Sequence, residues 1–302
     1  VVRRLVSGLA ISAWAKLNLH LQVIGRRPDG FHELRTVFQT VSLGDDLVAT
    51  PASDGQLNLV VEPGGSVDSG PGNLVLRAAR RLWDDVGSRP GASLILTKRI
   101  PVGGGLGGGS SDAAAALVLL SELWGLDRTP ADLFRLGAEL GSDVPFFLVG
   151  GTALGVGRGE EVWSIPDPGI EAIVVCAPDT SVSTPEVFAG LGDRSHWTPP
   201  DPDVWAWASG HGERPPWPRL RNDLAPAVVD GWPDVGAALD AVAACPGCRH
   251  AAVTGSGAAV FGIFPDFASA EAAVTLVADT SRRAWAVRPL NRRHAAPAVR
   301  RI

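Results

Sequence analysis

The stretch 101-PVGGGLGGGSSDAAAAL-117 sets six glycines into the seven positions 103–109 and then passes at once into a run of good helix formers. Each glycine gives up about 0.5–1 kcal/mol relative to alanine inside regular structure. A chain accepts that loss where a ligand must come very close to the backbone. The hydrophobic run 92-ASLILTKRI-100 leads straight into the loop and reads as a strand, while Asp112 to Trp124 reads as a helix. Glycines without Cβ let several backbone N–H groups converge on an anion. The helix beginning near Ser111 adds its unpaired N–H groups and the positive end of its dipole. Ser110 and Ser111 add hydroxyls, and Asp112 suits the first turn. The stretch therefore reads as a phosphate loop, but of neither standard type. Gly103-x-Gly105-x-x-Gly108 has the dinucleotide spacing, yet the acidic residue at the required distance, Asp127, closes a helix rather than a second strand. A Walker loop needs Lys before Ser or Thr, and here Ser110 follows Gly109 directly.

Upstream of the loop, Ala13 to Val23 alternates strictly. Ala13, Ala15, Leu17, Leu19, Leu21 and Val23 face one way, and Trp14, Lys16, Asn18, His20 and Gln22 the other, which predicts a half-buried strand. Residues 26-RRPDG-30 form a turn, and 36-TVFQTVSL-43 reads as a strand ending at a Gly-Asp-Asp turn. The segment 73–87 predicts an amphipathic helix capped by Asn73 and closed by Gly87. Downstream, Pro130 to Leu140 predicts a helix, and 150–159 and 171–178 predict strands. The stretch 195-SHWTPPDPDVWAWASGHGERPPWPRL-220, rich in Pro and Trp and without a period, reads as a surface connection whose tryptophans pack on the core. Strands and helices mixed without regular βαβ alternation point to an α+β chain.

Composition narrows the function classes. The chain has 302 residues, room for about two domains. Its formal net charge is −5, with no basic footprint for nucleic acid or an anionic membrane. No run approaches the length of a membrane span. Three cysteines are too few for a disulfide framework and suggest a reducing compartment. Cys245 and Cys248, with His250 and Cys176, leave a redox pair or a zinc site open beside the plain reading of two thiols around a Pro-Gly turn. Arg3 and Arg4 before 5-LVSGLAISAWA-15 imitate a secretory signal, but the apolar stretch flows unbroken into the alternating strand. A cytoplasmic protein is the expectation, with a secreted, processed one as the rival.

The run PVGGGLGGGSSDAA resembles the central motif of the GHMP kinases, the superfamily of galactokinase, homoserine kinase and mevalonate kinase. The segments 13-AWAKLNLHL-21 and 253-VTGSGAAVFG-262 are similar to further motifs of that family. With 28-PDGFHELRTVFQTVSLGDDL-47 and 139-ELGSDVPFF-147, they narrow the resemblance to members acting on 4-diphosphocytidyl-2-C-methyl-D-erythritol. The resemblance implies a two-domain α+β GHMP kinase fold. The first domain, 1–165, would be ribosomal protein S5 domain 2-like and bind ATP, and the second, 166–302, ferredoxin-like. It implies transfer of the γ-phosphoryl group of ATP, accompanied by Mg²⁺, to the 2-hydroxyl of that small molecule, a step of the non-mevalonate isoprenoid pathway, in a monomer or homodimer.

By the same resemblance, Pro101, Val102, Gly103, Gly104, Gly105, Leu106, Gly107, Gly108, Gly109, Ser110 and Ser111 hold the ATP phosphates. Asp143 is the catalytic base and Lys16 its partner. Asn18, Phe31, His32, Thr184 and Phe188 bind the acceptor, with Phe31, His32 and Phe188 around the cytosine. Phe31 stands where the family carries tyrosine. Trp14 stands where it carries a small residue or proline, a bulk expected at the site entrance. Two rivals remain, another GHMP small-molecule kinase and a non-catalytic nucleotide-binding protein of the same fold.

Overall fold

The structure, a computed structural model, describes residues 8–64, 67–191, 199, 201–211, 219–279 and 281–302. In chain order its first elements are β1 (Leu9–Arg26), β2 (His32–Ala52), β3 (Leu57–Glu62), α1 (Leu74–Val86), β4 (Gly91–Thr97), α2 (Gly108–Leu123), α3 (Pro130–Leu140), α4 (Val144–Val149), β5 (Thr152–Gly157) and β6 (Glu161–Ser164). There follow β7 (Ala172–Pro178), α5 (Thr184–Ala189), α6 (Pro202–Ala208), α7 (Ala225–Gly231), α8 (Pro233–Ala243), β8 (His250–Val253), β9 (Val260–Phe264), α9 (Phe267–Val277), β10 (Arg282–Val287), α10 (Arg292–Ala295) and β11 (Arg300–Arg301). None of the described helices is long and apolar enough to cross a membrane.

Two sheets organise these elements. The first has the order β11-β1-β2-β4-β3, with β5 on β2 and β6 on β5. The second runs β10-β7-β9-β8, antiparallel throughout. With α8 and α9 as its crossovers, the second sheet is a βαββαβ unit of ferredoxin-like topology. After β10 the chain returns, and β11 pairs with Leu9 and Ala10 of β1. One core lies between the first sheet and α1 to α4, a second between the second sheet and α7 to α9, and a third between the sheets.

The long strand β1 threads all three cores. Leu9, Ile11 and Ala13 belong to the first, Ala15, Leu17 and Leu19 to the third, and Leu21 and Val23 to the second. The expectation of a half-buried strand fails, because the polar face is covered as well. Lys16, Asn18, His20 and Gln22 are all buried. The residue 221 segment covers the far end, where Leu21 N–H donates to Arg221 O and His20 Nδ1 accepts from Arg221 N–H.

The predicted turn at Gly44-Asp45-Asp46 is also overturned, since β2 runs straight through it. Trp14 is opposite Gly44 and Ala15 opposite Val41, so the extra residues of β2 are taken up in a bulge. At the bulge the indole of Trp14 lies over Gly44, where an added Cβ would meet its ring at 2.5 Å. Two helical expectations hold closely. Asn73 caps α1 by accepting from Val75 N–H, and Gly87 closes it at φ 67°. Thr129 and Asp132 form a capping box for α3.

The stretch 195–220 is not wholly irregular. Asp201 accepts from the N–H groups of Asp203 and Val204 and starts α6, which buries Val204 and Trp207. The rest of that reading, at residues 195–198, 200 and 212–218, lies outside the described residues, as do Arg3 and Arg4. Ala13-Trp14-Ala15, the imitation cleavage site, sits within β1.

Candidate active site

The glycine loop joins β4 to α2 and is clamped by backbone on both sides. Lys16 N–H donates to Leu106 O at 3.0 Å, and the N–H groups of Ala258 and Ala259 donate to Gly103 O and Gly104 O. At Gly105, φ +72°, a Cβ would come within 2.3 Å of Thr254 O. At Gly107, φ +71°, it would strike the Phe147 ring at 2.6 Å and Lys16 Cγ at 3.0 Å. Only glycine fits these positions. The helix begins at Gly108, earlier than predicted, with Gly107 as its cap. Ser111 N–H is spent on Gly107 O within the helix. That leaves the N–H groups of Gly108, Gly109 and Ser110, which have no partner among the described residues, as helix donors beside a cleft of about 1670 Å³.

Of the eleven loop residues read as phosphate ligands, Pro101 through Ser110 line this cleft. Ser111 does not. It is buried on another side of α2, where it lines a small cavity together with Trp14 and Phe147. The expectation that Trp14 crowds the site entrance is overturned with it, because the bulge turns the indole away from the cleft.

Lys16, Asn18, Phe31, His32, Asp143, Thr184 and Phe188 all line the same cleft. Asp143 precedes α4 and its carboxylate makes no helix-cap hydrogen bond. Its Oδ2 stands 3.5 Å from Lys16 Nζ. Lys16 Nζ also donates to Asn18 Oδ1 at 2.6 Å, while Asn18 Nδ2 donates to Thr36 Oγ1 at 2.7 Å. The Asn18 amide thus orients the lysine. Toward the other end, the His32 and Phe188 rings stack with centroids 4.8 Å apart. Burial, then Arg26, lowers the His32 pKa, which keeps the ring neutral at pH 7. The Thr184 and Ser256 hydroxyls share a hydrogen bond of 2.7 Å. Phe31 is 54% exposed, with the Arg158 guanidinium 5.0 Å above its ring.

Sequence reasoning missed a buried charge cluster beneath the loop. Asp45 is fully buried, its Oδ1 accepting from Arg99 N–H at 2.5 Å and Ile100 N–H at 2.9 Å, and its Oδ2 pairing with Lys98. Lys98 Nζ also donates to Asp112 Oδ2 at 2.7 Å, and Asp112 Oδ1 has no hydrogen-bond partner among the described residues. Burial pushes the Asp112 carboxyl up to about 7, against the pull of Lys98 and helped by the Asp45 charge. Burial opposes the charge on Lys98, but the two carboxylates beside it outweigh burial and raise its pKa. The only signal in the sequence was the Gly-Asp-Asp run, whose polarity read as a turn.

Cys245 and Cys248 donate to the carbonyls of Ala241 and His250. Among the described residues no cluster of His, Cys, Asp and Glu comes together that could hold a metal ion.

Residues 73–151 match the GHMP kinases N terminal domain and residues 220–279 the GHMP kinases C terminal family. The 4-diphosphocytidyl-2-C-methyl-D-erythritol kinase of Synechococcus sp. (strain CC9605) is 41% identical over 292 residues, covering 91% of this chain and 94% of its own. The chain belongs to the GHMP kinases. The kinase of the same name from Pseudomonas putida (strain W619) is 42% identical over 275 residues, covering 90% of each chain. A crystal structure of 4-(cytidine 5'-diphospho)-2C-methyl-D-erythritol kinase superimposes on this GHMP kinase with a TM-score of 0.76 and 35% identity, covering 93% of this chain and 98% of its own. Homoserine kinase from Cytophaga hutchinsonii, 18% identical with a TM-score of 0.68 and 99% coverage of both chains, shares the fold. The mixed α+β, two-domain architecture is that of GHMP kinases, with ATP as phosphoryl donor.

Proposed function

We propose that this kinase transfers the γ-phosphoryl group of ATP to the 2-hydroxyl of 4-diphosphocytidyl-2-C-methyl-D-erythritol, a step of isoprenoid synthesis. The observation that carries the reading is the Lys16–Asp143 pair, 3.5 Å apart, on the same cleft as a backbone cradle for phosphates and a stacked ring pair suited to a base. Phosphoryl transfer asks a protein chiefly to position the reactants and to neutralise spread negative charge. The N–H groups of Gly108, Gly109 and Ser110 bind the ATP phosphates at the positive end of α2. Asp143, uncommitted to any cap, takes the proton of the acceptor hydroxyl as that oxygen attacks. The Lys16 ammonium, 3.5 Å from Asp143 Oδ2, faces the charge that develops on the transferring group.

Mg²⁺ fits this donor set. Such an ion is ordinarily held by one or two protein oxygens with nucleotide phosphates and waters, not by a protein cage. Ser110 Oγ lines the cleft and would hold it together with the nucleotide phosphates. When bound, it neutralises charge on the ATP phosphates. At the acceptor end, the faces of Phe31, His32 and Phe188 take the cytosine, and the Thr184 hydroxyl is a polar contact. The three cysteines are free thiols, which suits the cytoplasm.

The test is ADP release at fixed Mg·ATP with the diphosphocytidyl acceptor beside galactose, homoserine and mevalonate. Turnover confined to the cytidine compound is the expected result. Turnover with one of the others would replace the acceptor, and silence with all four, from protein that binds ATP, would leave a nucleotide-binding protein without this activity.

A further inference from the structure

Four cationic side chains line the cleft among the described residues, Lys16, Arg26, Lys98 and Arg158. Two are already committed to carboxylates. Lys16 faces Asp143 at the transfer end, and Lys98 is held between Asp45 and Asp112 beneath the glycine loop. Of the remaining two, Arg26 is exposed and lies on the His32 side. Arg158 is built differently. Its Nε donates to Glu160 Oε1 at 3.1 Å, and its backbone N–H donates to Glu160 Oε2 at 2.6 Å, so one glutamate fixes both ends of the residue. Its two terminal nitrogens have no hydrogen-bond partner among the described residues.

The position of Arg158 matters as much as its freedom. Its guanidinium sits 5.0 Å above the Phe31 ring, at the end of the cleft read as the cytosine site. The next residue, Gly159, backs onto the transfer end. A Cβ at Gly159 would stand 3.8 Å from Asp143 Oδ1 and 3.6 Å from the Phe38 ring. Residues 158 and 159 therefore span the interval between the base-binding rings and the carboxylate that activates the hydroxyl. In a cytidine diphosphate ester that interval is occupied by the diphosphate. A guanidinium presents paired N–H donors that match phosphate oxygens, and here it is held ready with those donors unspent.

We propose that Arg158 is the specificity-determining residue that recognises the diphosphate of the acceptor, with Glu160 fixing its aim. The proposal rests on the cytidyl acceptor proposed above. It explains how the site would select a nucleoside diphosphate ester over a free polyol, because the arginine rewards the linker and not the reacting alcohol. The cation over Phe31 also offers a reason why phenylalanine serves at this position without a hydroxyl, since the ring face holds the guanidinium.

The test is calorimetric titration of CDP and of cytidine into the whole protein, with the donor site saturated by a non-hydrolysable ATP analogue and Mg²⁺. Wild type should bind CDP more tightly than cytidine. In Arg158→Gln that advantage should fall by about 10- to 100-fold, the worth of charge-assisted hydrogen bonds, while cytidine affinity stays within about threefold. Arg158→Lys should recover part of it, and Arg26→Gln should change it by less than about threefold. An undiminished CDP advantage in Arg158→Gln overturns the proposal, as does an advantage lost in Arg26→Gln instead. Should Arg158→Gln not fold, Arg158→Lys carries the decision, since the loss of bidentate geometry must still narrow the advantage. Wild type that binds neither ligand would overturn the cytidyl acceptor itself, a failure distinct from that of Arg158.

Discussion

Asp143 is held by the start of α4 yet caps nothing, and Lys16 lies 3.5 Å from its Oδ2. A carboxylate kept out of the helix cap and beside an ammonium is available for proton transfer. Asp143→Asn keeps the shape and removes the base. We expect kcat to fall by about 10²–10⁴-fold, the usual worth of a general base, with ATP affinity changed by less than about threefold in equilibrium titration. An Asn variant as active as wild type would remove Asp143 from this role. Gly105 carries the opposite kind of necessity. Alanine there meets Thr254 O at 2.3 Å with φ fixed at +72°, and the obstacle is backbone that cannot swing aside. Gly105→Ala should cost about 2–4 kcal/mol of stability in denaturant titration, from left-handed strain and overpacking together, and should weaken ATP binding. Wild-type stability would mean the loop is looser than this packing requires. Both residues were legible from the loop and the 139–147 motif, because a glycine demand and a family motif are local in sequence.

Elements that answer to distant partners were not legible in that way. Asn73, Gly87 and the Thr129–Asp132 box announce α1 and α3 within a few residues, and both helices form as predicted. The bulge in β2 depends on Trp14 opposite Gly44 and on Asp45 reaching the backbone of Arg99 and Ile100, 54 and 55 residues away. Seen alone, Gly44-Asp45-Asp46 has the residues of a turn. In α6 the proline-rich composition hid an Asp201-Pro202 start that is itself a good helix signal. The bulge has a function that can be measured. Asp45 ties β2 to the end of β4 where the glycine loop begins, so Asp45→Ala should cost about 3–5 kcal/mol, the scale for breaking a buried ion pair, and should raise KM for ATP. Asp45→Asn keeps an acceptor for the two N–H groups and should recover part of both effects. A KM for ATP unchanged in Asp45→Ala would show that the loop holds its shape without this tie.

At the scale of the whole molecule, the polar residues buried on β1 and under the loop set how stability responds to pH, and two of them pull in opposite directions. Burial, then Arg221, lowers the His20 pKa to about 4 from 6.5. Between those values the unfolded chain holds a proton that the folded chain lacks. The His20 contribution is therefore present above pH 6.5 and lost as pH falls through 4. Burial raises the Asp112 pKa from 3.8 to about 7, so in that window the folded chain holds a proton that the unfolded chain has released. Its contribution is full below pH 3.8 and lost as pH rises through 7. The two windows overlap almost completely, and each proton is worth about 1.4 kcal/mol per pH unit. Between pH 4 and 6.5 the slopes from these two groups largely cancel. Neither site could be read from the sequence, where His20 sits on an apparently solvated strand face and Asp112 in an ordinary first turn. Single substitutions should expose the balance. Asp112→Asn should leave a protein whose unfolding free energy climbs with pH across that window, and His20→Asn one whose unfolding free energy declines. Urea titrations at half-unit pH steps decide it, since variants that keep the slope of wild type would show that these two protons are not what the fold sets against each other.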